Sequence, residues 1–123
     1  MLSAGNTVNG LGNKIIRTER IYNKDGEEIL SSSGHIVNGT NNIIEVNETY
    51  RNFVNGANNK IMSNEADKIA CKGYALISGV NNEVKSTYGV ALGEGLDVQG
   101  HYGTQLAIGK YNKLDKWATF VIG

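Results

Sequence analysis

The sequence predicts an all-β fold, a β-solenoid of short strands stacked coil upon coil, and three observations carry that expectation. A valine-asparagine-glycine motif recurs, as VNGLGNKI from Val8, VNGTNNII from Val37 and VNGANNKI from Val54, with SGVNNEV from Ser78 a looser copy. The apolar runs leading into each glycine are short, rich in Val and Ile, and broken by Gly or Asn too often for a helix to overcome its nucleation cost. Proline is absent while glycine numbers 16, so turns are made by residues that tolerate positive φ.

With the glycine that closes each run as an anchor, Gly10, Gly39, Gly56, Gly79, Gly93, Gly109 and Gly123 align. Two places before them stand Val8, Val37, Val54, Ile77, Ala91, Ala107 and Val121. Three places before stand Ile36, Phe53, Leu76, Val90, Leu106 and Phe120, with Thr7 departing. Five places after come Ile15, Ile44, Ile61, Val84, Val98 and Leu114. Three places after come Asn13, Asn42, Asn59, Asn82 and Asn112, with Leu96 departing. Such a pattern marks a solenoid, in which no repeat buries its apolar face without its neighbours. Two short strands and two turns fill a coil of about 14 to 16 residues at roughly 3.3 Å per strand residue.

Residues 1–123 therefore read as one repeat domain with two insertions, about 17–33 and 63–73. After the opening repeat, Arg17 to Ser33 reads as a protruding β-hairpin, with RIY and EIL as arms and NKDG as the turn, its Asp25-Gly26 pair suited to positive φ. Repeats anchored at Gly39 and Gly56 follow. Ser63 to Gly73 is polar, and a longer loop and a single helical turn both fit it. The remaining anchors run to Gly123, where the pattern stops in mid-course at ATFVIG, as expected of a fragment of something longer.

Turn positions are assigned to Gly39, Asn42, Gly56, Asn59, Gly79, Asn82, Gly93, Gly109 and Asn112. Glycine reaches left-handed backbone without a Cβ clash, and asparagine is the next best occupant. Asparagines at equivalent places of successive coils are also positioned to ladder amide to amide.

The residues two and three places before each anchor are neighbours in a strand and point to opposite faces, yet both are apolar. Both faces of that wall are expected to be covered, one inside the coil and one by another chain, which predicts a homo-oligomer. The positions assigned to the coil core or to this interface are Val37, Val54, Leu76, Ile77, Val90, Ala91, Leu92, Val98, Leu106, Ala107, Ile108, Phe120 and Val121. Leu92, Ile108 and Ile122 replace Asn9, Asn38, Asn55 and Ser78 beside the later anchors, so the C-terminal end carries the more apolar second face.

Lys plus Arg equals Asp plus Glu at 12 each, which leaves no net field to gather phosphates, and no nucleic-acid partner is expected. No apolar run is long enough to span a bilayer, and MLSAGNTVNG lacks a basic segment followed by an apolar one, so neither membrane insertion nor a signal peptide is read here. The single Cys71 reads as a buried thiol. His35 and His101 each adjoin a glycine without a carboxylate or thiol at ligand spacing; both read as exposed turn histidines, and no metal or other cofactor is expected. GEGLDVQG lacks the third glycine placement and the following helix of a dinucleotide loop. The scattered carboxylates admit a glycosidase pair brought together by stacking, but aromatics make up only 7% of the chain, too few for the aromatic-lined groove such sites use. Tyr22, Tyr50, Tyr74, Tyr88, Tyr102 and Tyr111 stand at strand starts or turns, where a ring covers an apolar edge and keeps its hydroxyl wet.

In YGVALGEGLDVQGHYGTQLAIGKYN (Tyr88 to Asn112), the elements Ala91-Leu92-Gly93, Val98-Gln99-Gly100 and Ala107-Ile108-Gly109 resemble the repeats of the YadA-type head of trimeric autotransporter adhesins. The closing LAIGKYNKLDKWATFVIG (Leu106 to Gly123) looks still more like the form of this repeat in tail and baseplate appendage proteins of phages and prophages of Gram-positive bacteria. The resemblance covers residues 74–123 well and the first half through the looser V-N-G pattern. It implies a left-handed parallel β-roll, a parallel homotrimer, and a structural or host-attachment role without catalytic residues. In that family a self-cleaving chaperone-type domain often follows, and it would lie beyond Gly123. The implied place is the virion tail, and the implied partner a host cell-surface polysaccharide or receptor contacted by loops such as Arg17 to Ser33. The head of a bacterial surface adhesin is the alternative, and a polysaccharide depolymerase a more distant one.

Overall fold

The computed structural model describes residues 3–16, 22–28, 32–46, 49–64, 69–100, 105–114 and 119–123. Its strands in chain order are β1 (Ser3–Ala4), β2 (Thr7–Leu11), β3 (Lys14–Ile16), β4 (Ser32–Ser33), β5 (Ile36–Thr40), β6 (Ile43–Glu45), β7 (Thr49–Tyr50), β8 (Phe53–Ala57) and β9 (Lys60–Ile61). They continue as β10 (Ser63–Asn64), β11 (Ile69–Ala70), β12 (Leu76–Val80), β13 (Glu83–Val84), β14 (Val90–Glu94), β15 (Asp97–Val98), β16 (Leu106–Lys110), β17 (Lys113–Leu114) and β18 (Phe120–Ile122). There is no helix among the described residues.

Each coil contributes one longer and one shorter strand to two parallel walls. The longer strands form a seven-stranded sheet in the order β18-β16-β14-β12-β8-β5-β2, and the shorter ones a six-stranded sheet in the order β17-β15-β13-β9-β6-β3. A third, three-stranded parallel wall of β1, β4 and β7 closes the first coils. The chain is thus an all-β, parallel-sheet solenoid, which places equivalent residues of successive coils side by side.

Register follows the anchors. Gly10 pairs Gly39, Gly39 pairs Gly56, Gly56 pairs Gly79, Gly79 pairs Gly93, and Gly93 pairs Gly109. These glycines are strand residues rather than turn residues, a correction to the turn assignment of Gly39, Gly56, Gly79, Gly93 and Gly109. What requires glycine is close approach at positive φ. At Gly79, φ is 136°, and a Cβ there would lie 1.8 Å from the Gly93 carbonyl oxygen.

The core is a set of columns running along the stack. Val37, Val54, Ile77, Ala91 and Ala107 from the long wall, and Ile44, Ile61, Val84, Val98 and Leu114 from the short wall, are fully buried. Val121 is partly buried against them, whereas Val8, in the terminal coil, is 46% exposed. In the coil where Ala91 stands, Leu96 replaces the usual asparagine and is buried.

The insertions are shorter than the sequence suggests. Ser32–Ser33 pairs with both Ser3–Ala4 and Thr49–Tyr50, so these residues belong to the roll. Cys71 is buried in the core and Gly73 bridges Tyr50, which returns residues 71–73 to the roll as well. The second insertion is neither a plain loop nor a helical turn at its base: β10 and β11 pair antiparallel as a hairpin. In the first, Tyr22 bridges Glu28 antiparallel; the arm residues Arg20, Ile21, Ile29 and Leu30 lie outside the described residues. Its turn is held by the Asn23 carboxamide oxygen, which accepts the backbone N–H groups of Asp25 and Glu27, with Gly26 at φ 78°.

Gly79→Ala should cost more than about 4 kcal/mol, since the added carbon overlaps backbone that cannot move without breaking register. Urea denaturation followed by far-UV circular dichroism measures this; a loss below about 1 kcal/mol would show that the column yields.

Candidate functional site

Two interior columns and three exterior surfaces carry the chain's polar and unpartnered chemistry. The first interior column is the asparagine ladder. The amide nitrogens of Asn42, Asn59 and Asn82 each donate to the carboxamide oxygen of the preceding asparagine (Asn13, Asn42 and Asn59), every bond at 3.0 Å. The same oxygens accept the backbone N–H of Asn42, Asn59 and Asn82. Each amide also reaches the anchor carbonyl of the next coil, Asn42 to Gly56, Asn59 to Gly79 and Asn82 to Gly93. Leu96 ends the ladder, its backbone N–H taking the Asn82 oxygen. Asn112 resumes the pattern by donating to the Gly123 carbonyl.

These asparagines stand in the turns between the two walls, but the left-handed residue is the one before. Positive φ falls on Asn41 (55°), Asn58 (56°), Asn81 (59°) and Tyr111 (55°), and on Gly12 and Gly95 in the remaining coils. The division of labour within the Asn-Asn pairs is therefore specific: the first residue turns the backbone and faces outward, while the second turns inward and hydrogen-bonds.

The second interior column lies at the opposite corner and includes Asn6, His35 and Asn52. His35 is fully buried, not an exposed turn histidine, because the place four residues before an anchor points inward. Its Nδ1 accepts the Asn52 backbone N–H at 3.2 Å, which leaves Nε2 to carry the hydrogen and donate to the Ser32 hydroxyl at 3.1 Å. Its own backbone N–H donates to Asn6, and the Asn52 oxygen accepts from Ala75 in the next coil. Burial pushes the His35 pKa down to about 4. Burial likewise pushes the neighbouring Cys71 thiol up to about 11 and holds it in the unreactive protonated form. His101 lies outside the described residues.

The outer face of the long wall is the first exterior surface. Ile36, Phe53, Leu76 and Phe120 are exposed there, and Val90 and Leu106 half-buried. Beside them runs a second outward column that begins with Asn9, Asn38, Asn55 and Ser78, the first two bonded amide to amide, and continues as Leu92, Ile108 and Ile122. Of the residues assigned to core or interface, Val37, Val54, Ile77, Ala91, Val98 and Ala107 thus line the inside. Leu76, Val90, Leu92, Leu106, Ile108 and Phe120 face out.

The second exterior surface is an aromatic edge, where Tyr74 and Tyr88, both left-handed, stack with ring centroids 5.2 Å apart at 16°. The third is the corner bearing Asn41, Asn58 and Asn81, which continues to Tyr111. That ring lies over Gly95 and donates its hydroxyl to Glu94 at 3.0 Å, while Lys110 pairs the same carboxylate at 3.2 Å. These contacts hold the Glu94 carboxyl below its usual range, the Lys110 hydrogen bond contributing most.

No group of three His, Cys, Asp or Glu stands together as a metal-ligand set among the described residues. Their one buried thiol and one buried imidazole are engaged in structural bonds. No family model, curated protein or solved structure matches the chain significantly.

His35 gives a pH prediction with a definite sign. Unfolded, the imidazole takes up a proton below about pH 6.5, whereas the folded chain refuses it until about pH 4, so stability is complete above 6.5 and lost as pH falls through that window. Between pH 7 and pH 5 the loss from this group is about 2 kcal/mol. His35→Asn, which matches the Asn6 and Asn52 of the same column, should remove that part of the slope in urea titrations at the two pH values. Parallel slopes for the two proteins would contradict the assignment.

Proposed function

We propose that this chain is a structural and host-attachment module of a phage or prophage tail appendage, built as a parallel homotrimer of left-handed β-rolls. The observation that carries the reading is the long wall with apolar residues on both faces. One set fills the coil, and the other, Ile36, Phe53, Leu76, Val90, Leu106 and Phe120, stands on a flat surface that water solvates poorly. Two further copies of the same surface are its natural cover, because parallel coils present identical columns to one another around a threefold axis. The shift from Asn9, Asn38 and Asn55 to Leu92, Ile108 and Ile122 supports a tighter association toward the C-terminal end. The repeat and the closing LAIGKYN segment supply the tail-appendage assignment through their resemblance to that family. The partner is a host cell-surface polysaccharide or receptor, and the hairpin around Tyr22 to Glu28 is the first contact element.

Light scattering should return three times the 13.3 kDa chain mass, constant over a wide concentration range. Leu92→Asp with Ile108→Asp should reduce it to one chain mass while leaving the β circular dichroism in place; a monomeric parent protein would remove the trimer from this reading. Replacing residues 20–30 by a short glycine linker should preserve the trimer and weaken sedimentation with host cell walls several-fold. Unchanged sedimentation would show that the hairpin is not the contact.

A further inference from the structure

The corner between the two walls carries a groove of about 430 Å³, lined by Asn41, Asn58 and Asn81 of the turns, with the ladder residue Asn82, and by Ile43, Lys60 and Glu83 of the short wall. The three asparagines are exposed, and among the described residues their carboxamides make no hydrogen bond. Their backbones are fixed: the N–H of Asn41 donates to Leu11, that of Asn58 to Thr40, and that of Asn81 to Ala57. Parallel pairing sets the coils about 4.8 Å apart, so three identical donor-acceptor groups stand in a straight row at that repeat. Ile43, Lys60 and Glu83 are in register below them. Glu83 is paired with Lys85 at 2.7 Å, and Lys60, which also lines the groove, has no ion pair among the described residues.

Left-handed geometry alone does not call for asparagine in this row. The turn favours asparagine next after glycine but does not require it, since Gly12, Gly95 and Tyr111 hold the same backbone conformation in other coils. They are contiguous where the groove lies. Two positions beyond Asn81 in the same column, the Tyr111 ring is pinned over Gly95 with 73% of its surface exposed, a fixed aromatic face in line with the amides.

We propose that this groove binds an uncharged glycan chain lying along the stack, with one carboxamide per sugar unit and the Tyr111 ring stacking at the end of the run. Carboxamides donate and accept at once, as vicinal hydroxyls require, and the strand repeat is close to the length of a pyranose unit. A peptide strand finds no free ladder here, because the corner backbones are bonded coil to coil. A polyanion finds only Lys60 against Glu83 on a chain of zero net charge. The inference deepens the attachment reading by naming the class of polysaccharide, and it rests on that reading only for the source of the glycan.

The test is calorimetry of the intact chain with chitohexaose, cellohexaose and polygalacturonate, comparing the parent with the Asn41→Gly, Asn58→Gly, Asn81→Gly triple variant. Glycine keeps the left-handed turns, as Gly12 and Gly95 do, so native mass and urea midpoint should be unchanged while binding of a neutral hexamer weakens at least ten-fold. Tyr111→Asn should weaken it several-fold. Absence of binding by both neutral hexamers, equal binding by parent and triple variant, or preference for polygalacturonate would each overturn the proposal. Sedimentation with host cell walls, run in parallel, separates the two readings: walls that bind parent and triple variant equally leave attachment standing and remove this groove from it.

Discussion

Each anchor glycine lies under the carbonyl of the next coil's glycine, so near that a side-chain carbon would overlap the oxygen, and the rest of the roll is arranged around that contact. It brings successive coils to a single separation and a single register, because a shift of one residue would drive a Cβ into the space the contact requires. Once the glycines are stacked, every other position is stacked too: valine over valine on the long wall, isoleucine over isoleucine on the short wall, amide over amide in the turn. A solenoid has no long-range core to correct an error in one coil, so its fidelity depends on a contact that each neighbouring pair makes alike.

The asparagine ladder performs the second half of this task. Buried amides are costly unless hydrogen-bonded, and here the amides of Asn42 and Asn59, beside a contact to their own coil, bond to the coils on both sides, which fits only the correct register. The ladder therefore adds specificity where a purely apolar column would permit sliding. Leu96 shows the alternative: in that coil a buried leucine replaces the amide. The corner with Asn6, His35 and Asn52 repeats the logic with mixed side chains, and its histidine makes that end of the roll sensitive to acid.

With the inside committed to register, the proposed binding surfaces lie on the outside. The long wall carries an apolar outer face, Tyr22 to Glu28 form a turn closed by an antiparallel bridge, and the Asn41-Asn58-Asn81 corner lines a polar groove. In the proposed trimer the outer face of the long wall would be covered, and the proposed contact residues, Tyr22 to Glu28 and Asn41, Asn58 and Asn81, are not among the residues of that face.

The sequence by itself determined the solenoid, the seven anchors, the amide ladder and the doubly apolar wall, because a repeat writes each structural requirement several times and the periodic residues are those that stacking demands. It did not determine which way a turn residue faces. The backbone of an Asn-Asn pair is equally compatible with either residue turning inward, and only the stacked coils, by accepting the second amide into the ladder, send the first outward to the groove. For the same reason His35 looked like a surface turn beside Gly34 until the next coil supplied the Asn52 backbone N–H to one ring nitrogen, with Ser32 of its own coil at the other. The roll's claim on residues 32–33 and 71–73 also arose only in three dimensions, since the third wall is made of pairs such as Ser3–Ala4 with Ser32–Ser33 that have no repeat signature of their own.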